Sequence, residues 1–227
     1  MIKKSNLFLL FALPFIGLSQ NASDIAVDSL YREDQVYFGI TYNTLMDTPE
    51  AYTQTNFSPG LKVGFIRDFP VNKKRNIGFG VGLGYAVNTS AQNLKITPDA
   101  NGSFDYEFLT GQNYQKNRFS YQVIEIPFEF RWRTSTPQSN KFWRIYTGLK
   151  ASHIIASRTF FKTNNETTIY KDLELNPWQY GLTLSAGYNN WNAFIYYGLN
   201  PIFETASMNQ NPLEMKSFKV GLMFYIL

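Results

Sequence analysis

Apolar and polar residues alternate with a period of two along most of the chain after residue 34. In residues 77–88, large apolar side chains occupy the odd positions, and glycine, alanine or asparagine occupy the even ones. A period of two is typical of a β-strand and is not produced by a helix. The same alternation recurs in seven further segments, which are residues 36–42, 61–65, 124–132, 143–151, 180–188, 193–199 and 218–226. The pattern therefore predicts eight β-strands.

The segments that connect these strands alternate in length. The short connections are residues 71–76, 134–141 and 189–190, and the long polar ones are residues 47–57, 89–118, 158–176 and 202–215. An even number of strands, with short turns at one end and long loops at the other, is characteristic of outer-membrane barrels. We therefore expect an all-β fold: an eight-stranded antiparallel up-and-down transmembrane β-barrel.

A soluble ligand-binding barrel would also alternate, but with its apolar face turned inward. An eight-stranded barrel has room inside only for its own side chains or one small ligand, and the regular apolar face carries more large side chains than that interior holds. Charged residues are only 17% of the chain, against about 25% in typical soluble domains. We therefore expect the apolar face to contact lipid. The soluble barrel is the alternative, and it predicts solubility without detergent.

The first residues resemble an export signal. Lys3 and Lys4 precede an apolar run over residues 7–18, and the small residues Gly17 and Ser19 lie at its end, where a signal peptidase would cleave. This order is typical of a secretory signal peptide. The interpretation divides the chain into a signal peptide (1–19), a periplasmic lead-in (20–34) and an outer-membrane barrel (35–227).

Tryptophan positions fit this orientation, because tryptophan and tyrosine concentrate where lipid tails meet head groups. Trp132, Trp143 and Trp191 flank short turns, and Trp178 begins a strand on the long-loop side. We expect the first three to form the periplasmic aromatic belt and Trp178 to lie in the outer one.

Eight charged residues fall on the face predicted to line the lumen. They are Lys62, Glu125, Glu129, Arg131, Arg133, Arg144, Lys150 and Lys219. Unpaired buried charges are costly, so we expect ion pairs that fill a narrow barrel. A net-basic lumen that attracts anions is the functional alternative.

Candidates for catalysis and for metal or cofactor binding are few. The chain has no cysteine and one histidine, His153, so thiolate and multi-histidine metal sites are excluded. His153 is the one conventional base at neutral pH, and Ser152, Ser157 and Glu166 are the candidate residues for a lipid-modifying enzyme. Ser152 points away from His153 in a strand, so we expect no catalytic site. We also expect no bound metal and no cofactor.

Two segments resemble the PorT-like outer-membrane β-barrel proteins, which are small exported barrels of Gram-negative bacteria. Residues 59–65 read PGLKVGF and are similar to the Pro-Gly-apolar-x-x-Gly-apolar entry of that family, and residues 124–127 read IEIP and are similar to its Leu-Glu-Ile-Pro run. Pro127 cannot donate to a strand ladder, so we expect a bulge there. The resemblance implies no catalytic residues, and the founding member of the family belongs to a protein-secretion machine.

These expectations combine into one functional interpretation. The chain is expected to be an integral barrel of the cell outer membrane with a structural, binding or envelope-machinery role and without catalysis. Its expected partners are outer-membrane lipid and other envelope proteins, as a monomer or in a complex, and its charge of +4 is not a nucleic-acid footprint. Loop 89–118, with Phe104, Tyr106, Phe108 and Tyr114, is the candidate contact surface. The alternatives are a secretion-system component and a lipid-modifying enzyme that uses His153.

Overall fold

A computed structural model describes most of the chain after the lead-in. The described residues are 34–100, 102–111, 114–134, 142–204, 206–208 and 211–226. The expected signal peptide lies outside them, as does the lead-in up to residue 33.

Thirteen strands form in the described residues, and eight of them are long. The long strands are β1 (Gln35–Met46), β2 (Pro59–Pro70), β3 (Ile77–Ala91), β6 (Lys116–Arg133), β7 (Trp143–Lys162), β9 (Trp178–Tyr188), β10 (Trp191–Pro201) and β13 (Lys216–Ile226). The short strands are β4 (Leu94–Pro98), β5 (Phe104–Phe108), β8 (Thr167–Lys171), β11 (Ser207–Met208) and β12 (Asn211–Pro212). Within the described residues, no helix is long and apolar enough to cross a membrane.

The eight long strands close into one antiparallel barrel. Their order is β6-β3-β2-β1-β13-β10-β9-β7, and β6 pairs with β7 to complete the ring. Each neighbouring pair is antiparallel. The predicted fold class is therefore confirmed, and all eight predicted segments lie in barrel strands.

Two of the four long connections, predicted as residues 89–118 and 158–176, are shorter than the sequence pattern suggested, because strands extend into them. β3 continues to Ala91, β6 begins at Lys116 and β7 continues to Lys162. The short strands lie in what remains. β4 pairs with β5, β11 pairs with β12, and β8 adds to the projecting part of β7.

Burial follows the alternation along the barrel strands. In β1, for example, Val36, Phe38 and Ile40 are exposed on the outer surface, whereas Tyr37 and Thr41 are buried. The apolar band around the barrel is therefore the surface available to lipid.

The register shift lies elsewhere than expected. Pro127 stays in register opposite Lys150, so the predicted bulge at Pro127 is wrong. The shift occurs further along the β6–β7 pair, where Val123 pairs with Ile154 and Gln122 pairs with Ala156. Ile155 is thus an extra residue in β7, and the residues after it exchange faces.

Glycines of β3 leave room for large lumen side chains from other strands. A Cβ at Gly84 would lie 2.0 Å from the Tyr37 hydroxyl, and one at Gly80 would lie 2.8 Å from Arg131 Cδ. The alternating glycines of residues 78–84 therefore allow β1 and β6 side chains to cross the lumen against β3.

Candidate functional site

The barrel lumen contains the main cluster of charged groups. All eight charged residues expected there are buried, with at most 6% of each exposed. Asp68 is a ninth, and it is completely buried. The described lumen thus holds six cations and three carboxylates.

Asp68 organises the end of the lumen nearest the short turns. Arg133 Nη1 and Nη2 donate to the two Asp68 carboxylate oxygens at 2.8 and 2.7 Å. Arg131 Nη1 donates to the same carboxylate at 3.0 Å, and its Nη2 donates to Gln35 Oε1. One β2 carboxylate therefore holds two β6 guanidiniums, and this arrangement closes the short-turn end.

Aromatic rings complete this closure. The Arg131 guanidinium lies 4.2 Å from the Tyr146 ring centroid, and the Arg144 guanidinium lies 4.5 Å from that of Phe142. Tyr225 packs edge-on against Tyr146, with ring centroids 5.5 Å apart. A guanidinium group is attracted to the face of an aromatic ring, and this attraction is stronger when the group is desolvated.

The middle of the lumen contains one close ion pair and a lysine without one. Lys150 Nζ donates to Glu125 Oε1 at 2.7 Å. Lys62 forms no salt bridge with a described carboxylate, and its ammonium lies 3.8 Å from the Phe194 ring centroid. Nearer the long loops, Lys219 Nζ donates to Asn88 Oδ1 at 2.8 Å.

Little free space remains between these groups. One cavity, beside Lys62 and Glu125, holds about 10 Å³, and another, beside Tyr121 and Lys219, also holds about 10 Å³. Each is about the space of a single water molecule. The described part of the lumen is therefore packed with side chains.

The long loops fold into a second apolar core above the lumen, which we call the loop cap. Its buried loop side chains are Leu94, Ile96, Leu173, Leu175, Ile202, Phe203, Ala206, Leu213 and Met215, and they pack on Phe119, Tyr121 and Val123 of β6. The side chain of Asn117 donates to the carbonyls of Gln92 and Leu94 at 2.9 and 2.8 Å. The cap therefore covers the long-loop end of the barrel.

The aromatic residues of loop 89–118 belong largely to this cap. Phe104, Tyr106 and Phe108 are partly buried and pack against the cap core, and the Tyr106 and Phe203 ring centroids are 5.4 Å apart. Tyr114 lies 6.1 Å from Phe161, again between ring centroids. These rings pack in part on residues of the protein itself, and their expected role as an outward contact surface stays a prediction.

The four tryptophans lie on the outer surface, as the belt hypothesis requires. Trp143 packs on Tyr188, and Trp191 packs on Phe224, with ring centroids 5.4 and 3.9 Å apart. Trp132 is 37% exposed. Trp178 lies at the other end, beside His153.

His153 lies in this outer aromatic level without a catalytic neighbourhood. Its ring centroid is 4.8 Å from that of Trp178. Ser152 and Ser157 are buried, and Ser157 Oγ accepts the Leu173 backbone N–H at 2.8 Å. Glu166 contacts Thr163 in the β7–β8 turn. These residues are not brought together, and the described chain has no cluster of three His, Asp or Glu side chains suited to a metal ion.

Asp68 and the aromatic side chains of the lumen were not predicted from the sequence. Asp68 and Lys62 both occupy even-numbered positions of β2, which face the lumen. The alternation, continued past Phe65, therefore predicts that Asp68 faces the lumen too. Tyr37, Phe194, Tyr196 and Tyr225 are buried in the lumen. Their strands carry large apolar residues on both faces, and alternation alone does not mark which face turns inward.

A comparison with protein-family models identifies the class of protein. A family model described as "Outer membrane protein beta-barrel domain" matches residues 18–204. No curated protein sequence matches the chain.

Several solved structures of low sequence identity align with most of this chain. Ail, the attachment invasion locus protein of Yersinia pestis, is 8% identical and has a TM-score of 0.36, over 87% of this chain and 100% of that chain. Its complex with the heparin analogue sucrose octasulfate is 10% identical with a TM-score of 0.37, over the same shares. A triple mutant of the Rh. blastica porin is 9% identical with a TM-score of 0.15, over 86% of this chain and 100% of that chain.

Proposed function

Because the chain belongs to the family of outer membrane protein β-barrel domains, we propose that it is a non-conducting barrel that anchors its loop cap in the outer membrane. In this role the cap contacts other components of the cell envelope, and the barrel carries out no catalysis. The protein resides in the cell outer membrane, and the proposal concerns what it does there.

The packed lumen is the observation that carries this proposal. Asp68, Arg131 and Arg133 close the short-turn end, the described cavities beside the central lysines hold about 10 Å³ each, and the loop cap covers the other end. A hydrated ion needs a continuous path of larger cross-section. This packing supports the function of an anchor rather than that of a pore. It also disfavours the net-basic lumen as a path for anions.

Conductance in planar lipid bilayers tests the first half of the proposal. The purified, refolded protein is expected to add no conductance steps above the bare bilayer. The control is a variant in which Asp68, Arg131 and Arg133 are all replaced by alanine, which removes the closure at the short-turn end. Discrete steps from the unmodified protein would overturn the proposal.

Cross-linking on intact cells tests the second half. Residues 99–103, between β4 and β5, are replaced by an Asn-Gly turn, and a matched variant carries the same turn in place of residues 71–76 at the opposite end. We expect cross-linked envelope components to be lost from the first variant and kept by the second. Equal cross-linking of both variants would show that this loop is not the contact surface.

Two other functions are distinguished by the same preparations. A component of a secretion system would co-purify with other envelope proteins in fixed proportion. A lipid-modifying enzyme would change the mass of lipid A on expression, and His153→Ala would abolish that change. The separation of His153 from Ser157 and Glu166 disfavours the lipid-modifying enzyme.

A further inference from the structure

The β6–β7 hairpin projects beyond the aromatic level, and β8 widens it into a three-stranded sheet. Five cations lie on the outward face of this projection, which we call the basic face. They are Lys116, Arg118, Arg158, Lys162 and Lys171.

Strand register brings these cations into adjacent rows. Ser120 pairs with Arg158, and Arg158 pairs with Lys171. In the outermost row, Lys116 pairs with Lys162. Directly paired residues on one sheet face are about 5 Å apart at Cβ, so the register concentrates positive charge on one face.

The acids of the described residues compensate only part of this charge. None of the five residues forms a salt bridge with a described carboxylate. Asp172 follows β8 and Glu166 precedes it, and they are the two acids of the hairpin segment. Like charges placed opposite each other are destabilising, so the arrangement favours an external anion.

A surface cleft lies at the base of the basic face. It has a free volume of about 250 Å³, and Ser120, Gln122, Arg158, Lys171 and Asp172 line it. Val87 and Ala156 supply its apolar part. The cleft thus joins two cations, one carboxylate and hydroxyl groups to an apolar wall, and its volume is sufficient for a phosphate group.

The height of the cleft matches the head-group region of a bilayer. His153 pairs with both Ile124 and Trp178, which marks the outer aromatic level. Ser120 precedes Ile124 in β6 by four residues, or about 13 Å along a strand. With the usual tilt this is about 10 Å of height. The cations therefore lie just above the level where lipid tails meet head groups.

We propose that the basic face binds the phosphate groups of an anionic lipid in the outer leaflet. Arg158 and Lys171 bind one phosphate in the cleft, and the outer cations hold further anionic groups of the same layer. Exposed Ile169 and partly exposed Phe160 lie on the same face between the two charged rows. These apolar side chains favour a lipid over a freely soluble polyanion. The proposal does not depend on the role of the loop cap.

Lipid binding to the full-length protein in nanodiscs tests this proposal. The discs contain phosphatidylcholine with increasing fractions of diphosphoryl lipid A, and native mass spectrometry counts the lipid A that stays bound. The double variant Arg158→Gln/Lys171→Gln removes the two cations of the cleft. Lys73→Gln/Lys74→Gln is the matched control, because it removes two exposed cations at the opposite end.

We expect the cleft variant to bind lipid A about 25-fold more weakly than the unmodified protein, because each basic residue near a charged bilayer contributes about fivefold. The control is expected to bind as the unmodified protein does. Unchanged heat-modifiable migration on gels verifies that both variants fold.

Three results would overturn the proposal. The first is equal binding by the cleft variant and the unmodified protein, and the second is equal binding of diphosphoryl and dephosphorylated lipid A. The third is binding of inorganic phosphate or inositol hexaphosphate in detergent as tightly as lipid A in discs, which would assign the face to soluble anions.

Discussion

Arg133 and Asp68 form a two-point ion pair inside the barrel, with N–O distances of 2.8 and 2.7 Å. The two residues lie on β6 and β2, which are separated by β3. The pair spans this gap because β3 carries Gly78 and Gly80 in the lumen, opposite Arg131 and Glu129 on β6. The glycines of one strand thus permit an ion pair between its two neighbours.

Replacing Asp68 by asparagine is expected to destabilise the barrel strongly. The change leaves two buried guanidiniums without their carboxylate, and loss of one member of a buried ion pair typically costs about 3–5 kcal/mol. The measurement is the temperature or urea concentration at which the fast-migrating folded band disappears on a gel. Asp34→Asn is the control, because the Asp34–Arg67 pair is partly exposed and 3.9 Å long, and asparagine keeps an oxygen that accepts the Asp68 backbone N–H. Equal effects of the two changes would contradict the assigned role of Asp68.

Lys150 and Lys62 are expected to differ in their effect on stability although both are buried. Lys150→Met leaves Glu125 without its 2.7 Å partner and is expected to destabilise the barrel by about 3–5 kcal/mol. Lys62→Met removes a buried ammonium that has no salt bridge with a carboxylate among the described residues, so we expect less than about 1 kcal/mol of loss, or a gain. Urea unfolding in lipid vesicles measures both. A larger loss for Lys62→Met would show that this ammonium is the main counter-ion of Glu125.

Gly84→Ala is expected to destabilise the barrel by about 1–3 kcal/mol through overpacking. The new Cβ would lie 2.0 Å from the Tyr37 hydroxyl oxygen. Tyr37→Phe removes that oxygen and is expected to recover part of the loss in the double variant. Unfolding free energies of the two single variants and the double variant measure the coupling. Strictly additive effects would mean that Tyr37 is not the group displaced.

The loop cap is expected to loosen at high pH. Burial raises the pKa of Tyr52 to about 12, and burial, reinforced by Glu174, raises the pKa of Tyr106. A phenol whose pKa is higher in the folded protein contributes stability that is complete below about pH 10 and is lost as the pH rises through the folded-state pKa. Proteolysis of the loops between pH 9 and pH 12 should therefore accelerate.

Tyr106→Phe provides the control for this pH dependence. Its hydroxyl has no hydrogen-bond partner among the described residues, so the change is expected to leave the cap intact at neutral pH and to reduce its loss at high pH. Phe203→Ala is expected to open the cap at every pH, because it removes the ring that packs against Tyr106. A cap whose proteolysis does not change with pH would show that these phenols stay accessible to water.

The parts of the structure that follow from local alternation were predictable, and those that depend on distant contacts were not. Val36, Phe38 and Ile40 mark β1 in the sequence because a strand turns alternate residues to opposite faces. The partial burial of Tyr106 depends on Phe203, about a hundred residues away in the chain. No local sequence pattern distinguishes such rings from aromatic side chains that are exposed on a binding surface.

The candidate site shows the same division. The eight charged lumen residues were predictable from parity alone, but their pairing was not, because Asp68 was missed and it is the acid that holds Arg131 and Arg133. The basic face was missed for another reason. Arg158 and Lys162 have the parity of the lumen-facing Arg144 and Lys150, and only the extra residue at Ile155 turns them outward.

Because of this one extra residue, the deletion of a single codon would change which β7 side chains face outward. Deleting Ile155 would restore the register of β7 and turn Arg158, Phe160 and Lys162 toward the inside of the hairpin. The outside would then present Ser157, Thr159 and Phe161, which are uncharged. A single-codon deletion at this position would thus remove the β7 cations from the outer face, while Lys116 and Arg118 of β6 and the eight strands of the barrel stayed in place.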